Sequence, residues 1–116
     1  VMACEDGFRD DGSLVYRRES DCWDEERHWW VQAEAVVGLM KMYRRSSDGR
    51  WLDKCRKVWE YIRENIIDPE GGEWYWSRLS DGSINMNEDK AGFWKCPYHN
   101  GRMCIEMLKE LTDENY

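Results

Sequence analysis

The sequence predicts an all-α fold with short β-hairpins. Two stretches, 24–45 and 50–67, are predicted to be helices; the second places apolar residues at three- and four-residue spacing, as a helix with one buried face does. The string Asp-Gly-Ser followed by an aliphatic residue occurs at 11–14 and again at 81–84, and Asp-Gly is a strong hairpin-turn signal. Because hairpins and helices alternate with a period of about 70 residues, the pattern is typical of a repeating helical array.

The first half predicts a hairpin at 7–20 and then one long helix at 24–45. Asp11-Gly12 separates Phe8 from the apolar run 14–16, and Asp21 is a suitable N-cap for the helix. The segment 31–40 is apolar on nearly every side, which predicts a helix that is buried all round. Such a helix needs neighbours on both sides, so we expect either a larger closed array or self-association.

The second half predicts a turn, a helix, a hairpin and a last helix. The turn is Ser-Ser-Asp-Gly at 46–49, and the helix at 50–67 ends at Asp68-Pro69. A second hairpin at 72–85 precedes a polar loop at 85–92 and a helix at about 98–112. Residues 1–116 are therefore predicted to form a single partial domain.

Composition excludes several classes of partner. The chain has 24 acidic and 17 basic residues, a net charge of −7 and no basic stripe, which argues against nucleic acid. No run approaches the roughly 18 apolar residues of a membrane span, so no membrane partner is expected. An odd number of cysteines without a Cys-x-x-Cys pair indicates reduced thiols and a cytoplasmic protein; they are Cys4, Cys22, Cys55, Cys96 and Cys104. With no second Cys/His cluster to complete four zinc ligands, we expect neither a metal nor a cofactor.

The residues best suited to chemistry are His99 and Glu34. Histidine as a residue type transfers protons near neutral pH, and His99 follows a proline at the start of a predicted helix. From its surroundings alone, a structural role is the favoured interpretation of His99, and His28 is also expected to be structural. A carboxylate within an apolar stretch is costly to bury without a partner, so Glu34 should either line a site or form a structural pair.

Three segments resemble the N-acylglucosamine 2-epimerase/cellobiose 2-epimerase family. They are His-Trp-Trp-Val-Gln-Ala-Glu-Ala at 28–35, Gly-Glu-Trp-Tyr-Trp at 72–76 and Trp-Lys-Cys-Pro-Tyr-His-Asn-Gly-Arg at 94–102. The resemblance implies the C-terminal portion of an (α/α)6 barrel. The last segment is more similar to the cellobiose or mannobiose branch than to the N-acylglucosamine branch.

The resemblance also implies a reaction for the complete protein, an isomerase that acts on a small-molecule sugar. Such enzymes invert C2 of the reducing-end sugar of a β-1,4-linked disaccharide through an enediolate and two histidines. His99 matches one histidine, whereas the other, in a His-x-x-Glu segment, has no match in this sequence. Trp94 and Trp30 match sugar-lining tryptophans; Trp30 is preferred to Trp29 because Glu34, four residues on, shares its helix face.

A second interpretation is a non-catalytic module that binds carbohydrate or another partner. The sequence supplies one credible catalytic histidine where epimerisation needs a proton carrier on each face of the sugar carbon. The isolated chain is therefore expected to be inactive, whichever interpretation holds. Arg102 and Tyr98 are candidates either to stabilise the enediolate or to brace the loop around His99.

Overall fold

The computed structural model describes residues 6–112, in which three α-helices pack together and short strands connect them. The helices are α1 (Trp29–Ser46), α2 (Gly49–Tyr61), which continues into a π-helical turn at Ile62–Ile66, and α3 (Tyr98–Thr112). Strands β1 (Arg17–Glu19) and β2 (Cys22–Asp24) form one antiparallel pair, and β3 (Arg27–His28) and β4 (Ser77–Arg78) form another. None of the described helices has the length and apolar character needed to cross a membrane.

The start of α1 differs from the prediction of a helix over 24–45. Residues 22–24 and 27–28 form strands, and the helix begins at Trp29. Two long-range contacts explain the difference: β3 pairs with β4, and the Trp29 amide donates to the Trp76 carbonyl at 2.9 Å. Pairing with the second hairpin satisfies backbone groups that a longer helix would otherwise have bonded internally. Trp29 and Trp30 consequently lie in the first turn of α1.

The core lies where α1 crosses α2 and α3. Val36 and Ala33 of α1, Val58 of α2 and Met103 of α3 are buried in one cluster, together with Ile62 of the π-helical turn. Within 31–40, every residue is buried except Glu34, Ala35 and Gly38. The predicted all-round burial is thus confirmed for most of this segment, and the three less buried positions share one face of the helix.

The two Asp-Gly-Ser strings form the same turn, as their repetition predicts. Gly12 and Gly82 have φ values of +89° and +88°, a conformation that glycine adopts without steric cost. In both turns the aspartate carboxylate accepts the backbone amide of the following serine at 2.9 Å. The hairpin predicted over 7–20 is shorter than expected, because 17–19 is the first strand of a separate hairpin with β2.

The cysteines fall into two groups. Cys22, Cys96 and Cys104 are exposed free thiols, whereas Cys55 is a free thiol buried between α1 and α2. Burial raises the pKa of Cys55 to about 11. Cys4 lies outside the described residues.

Candidate active site

His99 is the second residue of α3 and faces α1. Its Nδ1 lies 2.9 Å from Oε1 of Glu34, so the ring donates a hydrogen bond to that carboxylate. A neutral imidazole that donates through Nδ1 carries its lone pair on Nε2. Among the described residues, Nε2 of His99 has no hydrogen-bond partner. The pairing therefore leaves a basic nitrogen available to a ligand.

Glu34 of α1 also binds a second side chain of α3. Arg102 lies three residues after His99, on the same side of α3, and its guanidinium contacts Oε2 of Glu34. One carboxylate thus bridges His99 and Arg102, with about a third of each side chain exposed. Glu34 forms a structural pair and also lies in the wall of a cavity, and its part in substrate binding stays a prediction. Of the two roles considered for Arg102, this contact is the bracing one.

Three aromatic rings surround His99. The centroids of Tyr98, Trp30 and Trp29 lie 5.1, 5.8 and 6.1 Å from that of His99. Trp29 is buried in the core, with 3% of its surface exposed, whereas Trp30 is only partly buried and lines the cavity. The position of Trp30 therefore agrees with its selection over Trp29 as the ligand-facing tryptophan.

Trp94 lies apart from these rings. It is 80% exposed and packs edge-on against Phe93, with 4.9 Å between centroids. The structure brings His99, Glu34 and Trp30 together but does not place Trp94 among the rings that contact His99. Its part in ligand binding stays a prediction.

A cavity of about 560 Å³ opens beside Glu34 and Trp30. This volume is within the range of small-molecule sites. Its other wall includes Tyr16 and Trp23, which sequence reasoning missed. Trp23 lies beneath two guanidinium groups, those of Arg9 at 5.1 Å and Arg18 at 5.6 Å. Because the helix prediction at 24–45 left Trp23 outside any element, no local pattern indicated that it would lie opposite α1 in the cavity wall.

His28 occupies a different environment from His99. Its ring stacks on Tyr16 at 3.9 Å, and its Nε2 lies 3.0 Å from the carboxylate of Glu26. Burial lowers the pKa of His28, against the opposing effect of Glu26. The contacts with Tyr16 and Glu26 hold the His28 ring in place, which agrees with a structural role.

The sequence pattern of the family described as N-acylglucosamine 2-epimerase (GlcNAc 2-epimerase) matches residues 1–101. The chain belongs to this family. It is 47% identical over 112 residues to the cellobiose 2-epimerase of Bacteroides fragilis and 47% identical over 105 residues to that of Ruminococcus albus. Identity to the N-acylglucosamine 2-epimerase of Rattus norvegicus is 30% over 107 residues. These alignments cover 95%, 90% and 86% of this chain but only 29%, 27% and 25% of the relatives.

Solved structures of the 2-epimerase family share the fold. A sugar epimerase from a ruminal bacterium superposes with a TM-score of 0.87 at 42% identity, covering 95% of this chain and 28% of that one. The cellobiose 2-epimerase of Bacillus thermoamylovorans gives a TM-score of 0.86 at 43% identity, covering 90% and 27%. These neighbours are (α/α)6-barrel enzymes, so the predicted fold class, helices with short hairpins forming part of such a barrel, is confirmed. Within residues 6–112, no three His, Cys, Asp or Glu side chains converge as a metal site would require.

Proposed function

We propose that this chain contributes one proton-transfer group to a sugar 2-epimerase that inverts C2 of the reducing-end unit of a β-1,4-linked disaccharide. The observation that carries the proposal is the His99–Glu34 pair. Among the described residues, Nε2 of His99 has no hydrogen-bond partner. Glu34, which holds the ring, lines an aromatic-walled cavity, whereas His99 itself is not part of the cavity wall. The family membership supplies the reaction class, and the whole reaction requires parts of the barrel beyond this chain.

The chemistry follows from the orientation of the His99 ring. After the sugar ring opens, the C2–H bond is acidified by the C1 carbonyl, and Nε2 is the atom that takes this proton. The electron pair of the C–H bond moves into the C1–C2 double bond, and the carbonyl oxygen becomes the oxyanion of a cis-enediolate. Glu34 stabilises the imidazolium that forms, because its carboxylate already accepts the Nδ1 proton. Delivery of a proton to the opposite face of C2 then yields the epimer.

The opposite face needs a second proton carrier. Of the two histidines in the sequence, His28 is held by Tyr16 and Glu26 and is not one of the rings around His99. We assign the second carrier to the His-x-x-Glu segment that the family resemblance places in another part of the complete enzyme. In either direction of the reaction, one histidine then acts as the base and the other as the acid.

A disaccharide substrate is favoured by two observations. Identity to the cellobiose 2-epimerases exceeds that to the N-acylglucosamine 2-epimerase. The cavity also continues from Trp30 to Trp23 on the β1–β2 hairpin, which gives apolar surface for more than one sugar ring. The complete enzyme should therefore convert cellobiose or mannobiose to its C2 epimer faster than N-acetylglucosamine. Product analysis by NMR tests this, and a preference for N-acetylglucosamine would reject the disaccharide assignment.

Trp30 and Trp94 are proposed to stack on the sugar. In the complete enzyme, Trp30→Ala should raise KM for the disaccharide by up to about tenfold, since ring packing adds roughly 1 kcal/mol to area burial. Trp94→Ala should act in the same direction, with little change in melting temperature because its side chain is exposed. Trp59→Ala is the matched control, as Trp59 is a partly exposed tryptophan of α2 outside the cavity wall. A lowered melting temperature with unchanged KM would instead identify Trp30 as a core residue.

A further inference from the structure

Lys95 is a buried cation in the loop that leads into α3. Only 1% of it is exposed, although lysine is rarely buried without a partner. Its ammonium lies 2.6 Å from the Lys90 carbonyl, 3.3 Å from Oε1 of Glu73 and 5.2 Å from the centre of the Trp29 ring. Burial lowers the pKa of Lys95, and the Glu73 carboxylate opposes this effect. A carbonyl, a carboxylate and a ring face thus surround the charge.

Glu73 joins this cation to the start of α3. The same Oε1 accepts hydrogen bonds from the Trp74 amide at 2.6 Å and from Nδ2 of Asn100 at 2.9 Å. Asn100 is buried and directly follows His99. A single carboxylate oxygen therefore connects the second hairpin, the loop at 85–97 and the first turn of α3.

Lys95 is also connected to His99 through the Trp29 ring. Trp29 lies between them, with the Lys95 ammonium over its ring and the His99 ring nearly perpendicular to it, at an interplanar angle of 76°. Lys95 is therefore linked to His99 by two routes, through Glu73 to the side chain of the adjacent Asn100 and through Trp29 to the His99 ring. Lys95 itself does not line the cavity.

We propose that Lys95 is a positioning residue, which holds the start of α3 and the Trp29 ring so that His99 keeps its bond to Glu34. The consequence for catalysis rests on the proposed function, because a misplacement of about 1 Å at a reacting group can cost about 100-fold in rate. The consequence for the orientation of the His99 ring does not depend on the proposed function. The two effects can therefore be measured separately.

The test compares Lys95→Met with Lys90→Met in the complete protein. Methionine keeps an unbranched apolar stem and removes the charge. Lys90 lies in the same loop, but its ammonium pairs with Asp68 at 2.6 Å. Removing this ammonium therefore leaves the contacts of Glu73 with Lys95, Trp74 and Asn100 intact. Nitrogen NMR of the histidine rings reports whether His99 carries its proton on Nδ1. We expect Lys95→Met to convert a single Nδ1-protonated ring into a mixture of tautomers, and Lys90→Met to leave it unchanged.

Turnover gives the second readout. For Lys95→Met, kcat measured well below the melting temperature should fall by about tenfold to 100-fold, whereas Lys90→Met should stay near wild type. If Lys95→Met does not fold, Glu73→Gln replaces it and should shift the tautomer in the same direction. A lower melting temperature with an unchanged His99 tautomer would overturn the inference and leave Lys95 a purely structural residue. If the wild-type protein shows no epimerase activity, the tautomer result still decides this inference, and the proposed function alone fails.

Discussion

We expect the His99→Asn variant of the complete enzyme to lose about 10²- to 10⁴-fold in epimerisation rate, the usual effect of removing a general acid–base group. Asparagine retains a polar side chain near Glu34 but has no nitrogen that can take a proton from carbon at neutral pH. About a third of the His99 side chain is exposed, so the fold should survive the substitution. The initial rate of formation of the epimeric disaccharide measures the effect.

His28→Asn is the matched control for this substitution. It removes the other histidine, which contacts Tyr16 and Glu26 instead of Glu34. We expect this variant to retain most of the activity, with any loss appearing mainly in melting temperature. If the two substitutions reduced kcat equally, the assignment of proton transfer to His99 alone would be wrong.

The isolated 116-residue chain should form dimers or larger species and show no turnover of cellobiose or mannobiose. Three large apolar side chains along α3 are 57–70% exposed, namely Ile105, Leu108 and Leu111. Extended apolar patches of more than a few hundred Å² seldom remain open to water on a monomer. The isolated chain also lacks the second proton carrier, so we expect it to have no epimerase activity.

Size-exclusion chromatography with light scattering tests the association, and an assay for the epimeric disaccharide tests the activity. Leu108→Asp places a charge in the middle of the apolar stripe and should shift the chain towards monomer. A wild-type chain that stays monomeric at high concentration would show that this stripe does not associate. Measurable epimerisation would mean that His28, or a histidine of a second copy, supplies the other proton.

Local sequence patterns predict the helices and turns well where local interactions determine them. The three-and-four spacing identifies α2, and the two Asp-Gly-Ser strings identify turns with the same hydrogen bonds. The predicted start of α1 is wrong because residues 27–28 pair with β4, which lies far along the chain. Such a pairing competes with helix formation and leaves no local signal.

Candidate site residues could be chosen from the sequence, but the geometry that joins them could not. The family resemblance selects His99 and Trp30, and the cost of an unpaired buried carboxylate marks Glu34, but nothing in their spacing shows that His99 bonds to Glu34. Lys95 was missed altogether, because lysine is ordinarily exposed. Its burial depends on Glu73 of the preceding hairpin, and a pairing across two separate elements appears only in the folded structure.

The central claim is that His99 moves the proton at C2, and deuterium exchange in heavy water tests it most directly. The complete enzyme is incubated with cellobiose in D2O, and NMR follows deuterium at C2 of the reducing-end sugar. The wild-type enzyme should incorporate deuterium at C2 as the epimer forms, and His99→Asn should show neither exchange nor epimer above about 1% of the wild-type rate. Exchange at C2 in His99→Asn at close to the wild-type rate would contradict the assignment.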